Sequence, residues 1–337
     1  MKEISKFNIS RPASKLVDNH KRTVDYLRIS VTDRCNLRCS YCMPPEGVPF
    51  IPHEKILRFE EIIRLSRIFN GLGVEKIRFT GGEPFVRKDF ANFLVTFRQA
   101  LPNVSLHLTT NGVVTSNYID SIIDAGVDGI NLSIDTLVKD KFRKLTFRDT
   151  FDEVIKSLNL LLDSGIPLKI NTVVQNGFNI DEIIDIANIA SDNDVEVRFI
   201  EQMEFNGNEL NYEVFDSEKM FNLLINHFGS LLPVSRTSST AACYKIPGFK
   251  GTIGIIAGHS RTFCSTCSRI RITSTGMLKT CLYDNGVLSL RDLIRSGAPD
   301  SGIISSIEGA VASRFKDGFE AESFNLDRKK SMASIGG

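Results

Sequence analysis

From residue 27 to residue 203 the sequence alternates between strand-like and helical segments. Apolar runs predict strands at 27–31, 74–80, 104–110, 129–135, 167–174 and 195–203, and amphipathic runs predict helices at 56–73, 89–100, 116–125, 151–164 and 180–191. Strands separated by helices form a parallel sheet with right-handed crossovers. We therefore predict an α/β fold. Six units favour an incomplete (βα)6 barrel, although periodicity alone leaves an open doubly wound sheet as the alternative.

Composition indicates a soluble globular protein, with 42% hydrophobic and 24% charged residues in 337. The net charge of +1 gives no sign of nucleic-acid or membrane binding. The first fifteen residues lack the apolar core of a secretory signal, so we expect a cytoplasmic protein with reduced thiols. The strand–helix pattern stops near residue 230. We expect an N-terminal extension without motifs (1–21), a barrel domain (22–230) and a C-terminal region (231–337).

Three of the seven cysteines lie close together in DRCNLRCSYCMP, as Cys35, Cys39 and Cys42. Their polar neighbours argue against simple buried thiols. Structural zinc takes four ligands, and the nearest candidate for a fourth is His53. Three thiolates suit a [4Fe–4S] cluster that keeps one iron open for a ligand, and we favour this interpretation.

A second set of three cysteines, Cys264, Cys267 and Cys281, follows in the C-terminal region. His259 could complete a Cys3His zinc site, but a second open iron–sulfur cluster is the favoured interpretation. Cys243, in TAACYKI, is interpreted as a small buried residue instead. In the segment RIR, Arg269 and Arg271 should point to the same side of an extended chain, towards an anionic substrate.

Basic residues also recur inside the predicted strands, at Arg28, Arg78, Lys169 and Arg198. Surface charge is unusual within a buried parallel sheet, so these cations are expected to face one lumen. Several cations facing one lumen need an anion, and a triphosphate fits their number and the Arg geometry. His107 is interpreted as a packed or hydrogen-bonded core residue.

The stretch CNLRCSYC resembles the signature of the radical S-adenosylmethionine (SAM) superfamily, and TGGEP (80–84) is similar to its GGE motif. The second cysteine set, the Arg-x-Arg segment beside it and the terminal Gly-Gly together resemble the GTP 3′,8-cyclase family of molybdenum cofactor biosynthesis. This resemblance runs from about residue 22 to the last residue. Phe79, where the family usually has an aliphatic residue, is a mild departure.

The resemblance implies an incomplete TIM-type barrel whose open side is closed by a C-terminal iron–sulfur region. It implies two [4Fe–4S] clusters and SAM as cofactors, and a 5′-deoxyadenosyl radical that takes hydrogen from C3′ of GTP. The implied product is (8S)-3′,8-cyclo-7,8-dihydroguanosine 5′-triphosphate. Implied partners are an electron donor such as flavodoxin or ferredoxin, a downstream cyclic pyranopterin monophosphate synthase, and a second copy of the chain in a homodimer.

The resemblance also implies a role for individual residues. The SAM contacts are Tyr41, Gly82, Ser133 and Met203. The GTP contacts are Arg28, Arg78, Thr109, Lys169, Arg269, Ile270 and Arg271. The residues implied in catalysis are Arg28, Arg269, Arg271, Gly336 and Gly337, the last two as a tail that reaches into the active site.

Two other functions stay open at this point. One is a radical SAM enzyme that modifies peptides and carries an auxiliary cluster, which would explain neither RIR nor the terminal Gly-Gly. The other is a zinc-binding interaction protein with the sheet as its scaffold, which would be colourless when purified.

Overall fold

The computed structural model describes residues 15–44, 46–203, 213–234, 240–325 and 332–335. The strands in this part of the chain are β1 (Tyr26–Ser30), β2 (Lys76–Thr80), β3 (Ser105–Thr110), β4 (Gly129–Ser133), β5 (Leu168–Val174), β6 (Glu196–Glu201), β7 (Leu232–Val234), β8 (Ala242–Lys245), β9 (Thr252–Ile256), β10 (Arg269–Ile272), β11 (Met277–Lys279) and β12 (Leu288–Ser289). The helices are α1 (Phe59–Gly71), α2 (Phe90–Ala100), α3 (Ile119–Asp124), α4 (Lys139–Thr146), α5 (Phe151–Asp163), α6 (Ile183–Asp192), α7 (Ser217–Phe228), α8 (Leu290–Arg295), α9 (Asp300–Ala312), α10 (Gly318–Ser323) and α11 (Met332–Ile335).

The six predicted strands and the five helices predicted among them are all present. The first helix starts later than predicted, at Phe59, because the carboxylate of Glu61 accepts the backbone N–H of Arg58 at 2.7 Å and so fixes the first turn there. Helices α3 and α6 are each preceded by a short 3-10 segment. Helix α4 was not predicted, because its sequence KDKFRKLT is mostly polar and only Phe142, Leu145 and Thr146 are buried.

All strands belong to one sheet in the order β12-β11-β10-β1-β2-β3-β4-β5-β6-β9-β8-β7. The central strands, from β10 through β1–β6 to β9, are parallel to their neighbours. The outer pairs are antiparallel. The C-terminal region therefore extends the sheet at both edges, although its sequence shows no strand–helix alternation. The structure confirms the α/β class and a mostly parallel sheet.

The two faces of the strands have different chemistry, as the period-2 geometry of a strand requires. In β5, Leu168 and Ile170 are buried in the hydrophobic core, whereas Lys169 and Asn171 line a cavity on the opposite face. Helices cover the core face. Phe79 of β2, for example, makes edge-to-face contacts with aromatic rings of α2. Polar side chains are thus concentrated on the face turned towards the cavity.

In the described part of the chain, no helix combines the length and the apolar character needed to cross a membrane.

Candidate active site

A cavity of about 640 Å³ is lined by side chains of every strand from β1 to β6 and of β9, β10 and β11. Both predicted sets of cysteines border it: the N-terminal cysteine set (Cys35, Cys39, Cys42) and the C-terminal cysteine set (Cys264, Cys267, Cys281). Each of these cysteines is half-buried and is outside any disulfide. The sequence placed the two sets more than 220 residues apart, and the fold brings them to one cavity.

The N-terminal cysteine set lies on the loop that follows β1. Cys35 Sγ accepts hydrogen bonds from the backbone N–H of Leu37 (3.4 Å) and from the side-chain amide of Asn111 (3.5 Å). The backbone N–H of Cys42 donates to the carbonyl of Cys39 at 2.8 Å. Burial, together with the nearby Glu83 carboxylate, raises the pKa of Cys35 to about 11. The guanidinium of Arg38 also donates to the carbonyl of Cys35 at 2.8 Å, so the loop is held both by its own residues and by neighbouring segments.

Gly82 is required by a close approach of two backbone segments. A Cβ atom at this position would lie 2.2 Å from the carbonyl oxygen of Arg34 and 2.9 Å from Cβ of Cys35. The family resemblance implies that Gly82 contacts SAM. In the structure the close approach is to the cysteine loop itself, and Gly82 also lines the cavity.

Glu83, the last residue of the GGE motif, is fully buried and organises the ends of two strands. Its carboxylate accepts hydrogen bonds from the hydroxyl of Thr110, the backbone N–H of Asn111 (2.7 Å) and the backbone N–H of Phe85. Asn111 in turn reaches Asn36 at 2.7 Å on the cysteine loop. Burial raises the pKa of Glu83 to about 7 despite these hydrogen bonds. The carboxylate therefore connects β3 to the cysteine loop.

The four residues that the resemblance assigns to SAM (Tyr41, Gly82, Ser133 and Met203) all line the cavity. The hydroxyl of Tyr41 donates to Asp135 at 2.8 Å, and burial raises the pKa of Asp135 to about 6. The hydroxyl of Tyr283 lies 3.2 Å from Sδ of Met203. Asp135 and Tyr283 were missed by the sequence analysis because each carries no motif and depends on its partner for its position.

Arginines form a row across neighbouring strands. In the strand register Arg28 lies opposite both Arg271 of β10 and Arg78 of β2. Two residues earlier on the same strands, Arg269 lies opposite Tyr26. Arg269 and Arg271 both line the cavity, as the alternation predicted. The side chain of Ile270 between them is buried in the core, so we expect its backbone to make any contact with a ligand.

Burial and mutual repulsion lower the pKa values of two arginines of this row, Arg28 and Arg271. Burial and repulsion by Arg271, Arg78 and Arg269 lower the pKa of Arg28 well below its usual range. Burial and repulsion by Arg269 lower the pKa of Arg271 to about 10. Burial opposes ionisation of Tyr26, but attraction by Arg78, Arg28 and the other cations outweighs it and lowers its pKa to about 7. An anion in the cavity would relieve this repulsion.

Two of the predicted lumen cations already share a counter-ion. The carboxylate of Glu196 contacts Nζ of Lys169 at 2.6 Å and Nε of Arg198 at 2.7 Å. Burial opposes its ionisation, but Arg198 and Lys169 outweigh it and lower the pKa of Glu196 to about 2. Cys243 is buried against the same carboxylate, with its Sγ 3.4 Å from Oε1, as expected for a small buried residue. Glu196 was not anticipated, because the sequence gives no sign that it faces two cations.

The C-terminal cysteine set is surrounded by arginines. Cys264 begins a 3-10 turn, and Arg314 donates to Sγ of Cys267 at 3.3 Å. Burial opposes ionisation of Cys267, but the positive charges of Arg269 and Arg314 lower its pKa to about 7. His53 and His259, the candidates for a fourth zinc ligand, are exposed and are not among the cavity-lining residues. His107 is confirmed as hydrogen-bonded, with Nε2 2.8 Å from the hydroxyl of Ser105.

The donor sets fit iron–sulfur clusters better than zinc. Within the described ranges, no three His, Cys, Asp or Glu side chains are arranged to hold a single metal ion. Three thiols match a cluster, whose irons take one thiolate each and leave one iron open. The cavity also holds polar atoms with nothing to bind: among the described residues, Thr109 Oγ1, Asn131 Oδ1 and Asn171 Oδ1 are buried without a hydrogen-bond partner. These atoms favour a ligand rich in hydrogen-bonding groups.

Gly336 and Gly337, implied in catalysis, lie outside the described residues. The short helix α11 just before them does reach the site. The backbone N–H of Met332 donates to the carbonyl of Cys42 at 3.2 Å, and Met332 lines the cavity.

Comparison with known proteins places the chain in a family. The radical SAM superfamily model matches residues 29–190, and the model described as Molybdenum Cofactor Synthesis C matches residues 195–319. The chain is 39% identical to a protein named GTP 3′,8-cyclase from Petrotoga mobilis, over 96% of this chain and 100% of that protein. The chain belongs to the GTP 3′,8-cyclase family. This membership implies a [4Fe–4S] cluster and SAM as cofactors, and a second cluster is typical of the family.

Other relatives are longer than this chain. It is 41% identical to Molybdenum cofactor biosynthesis protein 1 of Bos taurus over 95% of its own length but only 51% of that protein. The chain thus spans about half the length of such relatives. Among solved structures, Streptococcus suis SuiB bound to S-adenosylmethionine superposes with a TM-score of 0.58 at 17% identity, covering 85% of this chain and 69% of SuiB. That likeness shows a shared fold alone.

Proposed function

We propose that the chain is a radical SAM enzyme that converts GTP to (8S)-3′,8-cyclo-7,8-dihydroguanosine 5′-triphosphate, the first step of molybdenum cofactor biosynthesis. The observation that carries this proposal is one cavity bordered by both cysteine sets and by a row of mutually repelling arginines. The family to which the chain belongs supports the same reaction. We further propose that the sheet is curved into an incomplete TIM-type barrel that the C-terminal region closes.

We propose that the N-terminal cysteine set holds the cluster that binds SAM. When bound, cluster and SAM supply the radical that abstracts hydrogen. Tyr41, Gly82, Ser133 and Met203 line the same cavity and are the proposed SAM contacts. Asp135 fixes Tyr41 through its hydroxyl. Their role is to orient the cofactor and to exclude water from it.

The triphosphate of GTP is proposed to bind the cations of β1, β2, β5 and β10. Arg28, Arg78, Arg269 and Arg271 offer guanidinium forks, and Lys169 adds a point charge. Bringing a polyanion to these groups replaces repulsion by attraction in a poorly hydrated site, where charge interactions are strong. Arg78 is partly committed, because it donates to the hydroxyl of Tyr26 at 2.6 Å and to the carbonyl of Leu108.

The nucleoside would then lie between the two cysteine sets. Thr109, Asn131 and Asn171 offer buried oxygens on three neighbouring strands, and we propose that they hydrogen-bond to the ligands in the cavity. Cys264, Cys267 and Cys281 would hold the C-terminal cluster, whose open iron would supply a binding position for the guanine. Gly336 and Gly337 are proposed to complete the active site.

The partners and the setting of the enzyme stay proposals. We propose a small electron-transfer protein such as flavodoxin or ferredoxin as reductant, a cyclic pyranopterin monophosphate synthase as the next enzyme, a homodimer, and a cytoplasmic location. The division of the chain near residue 230 is likewise proposed.

Anaerobic reconstitution followed by incubation with GTP, SAM and a strong reductant tests the reaction. We expect a brown protein with iron for two four-iron clusters, and formation of both 5′-deoxyadenosine and cyclised GTP. Formation of 5′-deoxyadenosine with GTP unchanged and an added peptide modified would favour a peptide-modifying enzyme. An iron-free, colourless protein would rule out both radical reactions.

A further inference from the structure

A buried ion network joins the N-terminal extension to the C-terminal cysteine set. The side chain of Asp18 is fully buried, and it contacts Nε of Arg22 at 2.6 Å and Nη1 of Arg314 at 3.3 Å. The side chains of the two arginines are only 6% and 3% exposed. We refer to Asp18, Arg22 and Arg314 as the Asp18 network. Burying three charged side chains costs desolvation free energy, which their contacts with other groups must offset.

The other N–H groups of Arg314 donate hydrogen bonds to the C-terminal cysteine set and the residues next to it. Its guanidinium donates to the carbonyl of Cys267 at 2.8 Å, to Sγ of Cys267 at 3.3 Å and to the carbonyl of Arg269 at 2.9 Å. It also donates to the carbonyl of Thr280, next to Cys281, at 2.9 Å. One side chain therefore fixes two of the three cysteines in space.

Arg22 fixes the third. It donates to the carbonyl of Cys264 at 3.0 Å, and to the carbonyls of Lys316 and Phe315, which follow Arg314. The Asp18 network thus contacts the backbone around all three cysteines, which come from two segments of the chain. At the N-terminal cysteine set, the side-chain amide of Asn111 donates to Sγ of Cys35 at 3.5 Å.

We propose that Arg314 is a positioning residue for the C-terminal iron–sulfur cluster, and that its positive charge beside Cys267 raises the reduction potential of that cluster. This inference rests on the proposed function, because it requires a cluster on Cys264, Cys267 and Cys281. It also gives the N-terminal extension a role: Asp18 holds Arg314 in place and moderates its charge.

The sign of the effect follows from electrostatics. Reduction adds an electron to the cluster, and a cation that donates to a ligating sulfur stabilises the reduced form. Removing Arg314 should therefore make the potential more negative. Removing the charge of Asp18 while keeping its shape leaves the cation less compensated, so the potential should become less negative. A purely structural role would not produce shifts of opposite sign.

The experiment isolates the C-terminal cluster in the full chain by changing Cys35, Cys39 and Cys42 to Ala. In this background Arg314→Met and Asp18→Asn are compared by iron and sulfide content, loss of iron to a chelator, and potentiometric titration followed by electron paramagnetic resonance. Arg98→Met is the matched control, because Arg98 also donates to several backbone carbonyls and an aspartate but does not line the cavity.

We expect Arg314→Met to lose iron faster and to have a more negative potential, Asp18→Asn to have a less negative potential, and Arg98→Met to match the parent in both. If Arg314→Met does not fold, Arg314→Lys takes its place: a single ammonium keeps the charge but cannot contact Thr280, Cys267 and Arg269 together, so iron should be lost faster at nearly the parent potential.

An unchanged potential in Arg314→Met, a shift in the same direction for Asp18→Asn, or full iron retention and an unchanged potential in Arg314→Lys would each overturn the inference. Normal iron uptake with no effect of Arg314 would leave the proposed function standing. A parent chain that takes up no cluster at the C-terminal set would overturn both.

Discussion

The two cysteine sets line one cavity but lie in opposite electrostatic surroundings. The N-terminal set lies near carboxylates: burial and Asp135 raise the pKa of Cys39 well above its usual range. At the C-terminal set, the charges of Arg269 and Arg314 outweigh burial and lower the pKa of Cys267 to about 7. Cys281 departs from this pattern, because burial raises its pKa to about 11.

The number of thiols at each cysteine set and the charge around them are therefore determined by different parts of the sequence. Each motif supplies three cysteines. The surrounding charge comes from distant residues, Glu83 and Asp135 on one side and Arg314 and the β10 arginines on the other. The acidic surroundings suit a cofactor that carries a cationic sulfonium, and the basic surroundings suit a triphosphate.

Removing each cysteine set in turn should have the largest effect. With Cys35, Cys39 and Cys42 changed to Ala, neither 5′-deoxyadenosine nor cyclised GTP should form, because no cluster supplies the electron. With Cys264, Cys267 and Cys281 changed to Ala, cyclised GTP should be lost while SAM cleavage continues. Chromatography of both products distinguishes the two. Cyclised GTP made by either variant would show that the sets do not have separate roles.

Changing Arg269 and Arg271 to Ala should weaken GTP binding by at least about 100-fold, since losing a buried charged contact typically costs about 2–5 kcal/mol. The absorption and paramagnetic spectra of the N-terminal cluster should be unchanged. Equilibrium binding of GTP without reductant measures the effect. Arg64→Ala is a suitable control, because Arg64 pairs with Asp300 away from the cavity. Loss of both clusters would instead assign the two arginines a structural role.

Much of the fold followed from periodicity. All six predicted strands are present because their apolar runs are buried against helices, and helices such as α5 show an amphipathic pattern. Helix α4 escaped prediction because it buries only a few side chains. The C-terminal strands escaped as well: they are short, and β9 and β10 are specified by the edges of a sheet formed much earlier in the chain.

Some residues of the candidate site could likewise be predicted from the sequence, and others could not. The cysteines, Arg269 and Arg271 could be found because they lie in two short stretches of sequence, 35–42 and 264–281. Glu83 was found only as part of the family motif, because its hydrogen bonds to Thr110 and Asn111 depend on β2 and β3 lying side by side. Asp18 and Glu196 could not be found, because their partners are brought to them only by tertiary contacts.

Glu196→Gln tests whether Lys169 and Arg198, on the basic side of the cavity, contact the triphosphate of GTP. The change releases Lys169 and Arg198 from their shared counter-ion, so GTP should bind roughly tenfold tighter, or about 1.4 kcal/mol. The free energy of unfolding should fall by about 1 kcal/mol, because two partly buried cations lose their charged partner. Titration with GTP and chemical denaturation measure these effects.

Glu61→Gln is the matched control for this change, because Glu61 is a buried carboxylate paired with Arg58 and Arg295 outside the cavity. It should lose stability without any gain in GTP affinity. Unchanged or weaker binding in Glu196→Gln would mean that Lys169 and Arg198 do not contact the triphosphate.

The smallest expected effect is the pH dependence of GTP binding. Burial lowers the pKa of Lys76 to about 8, although attraction by Tyr26 opposes the shift. Attraction by the surrounding cations lowers the pKa of Tyr26 to about 7 against the effect of burial. As pH rises, Lys76 loses its positive charge and Tyr26 gains a negative one, so both changes weaken the binding of an anion. Affinity should fall by roughly tenfold between about pH 7.5 and about pH 9.

The terminal phosphate of GTP is fully ionised over this whole pH range, because a phosphate loses its last proton near about pH 6. The double change of Tyr26→Phe and Lys76→Met should remove most of the slope, because neither new side chain titrates. Calorimetry without reductant at a series of pH values measures it. An affinity that is constant or rises with pH in the parent chain would place the triphosphate away from these two residues, and so away from the arginines of β1 and β10 that flank them.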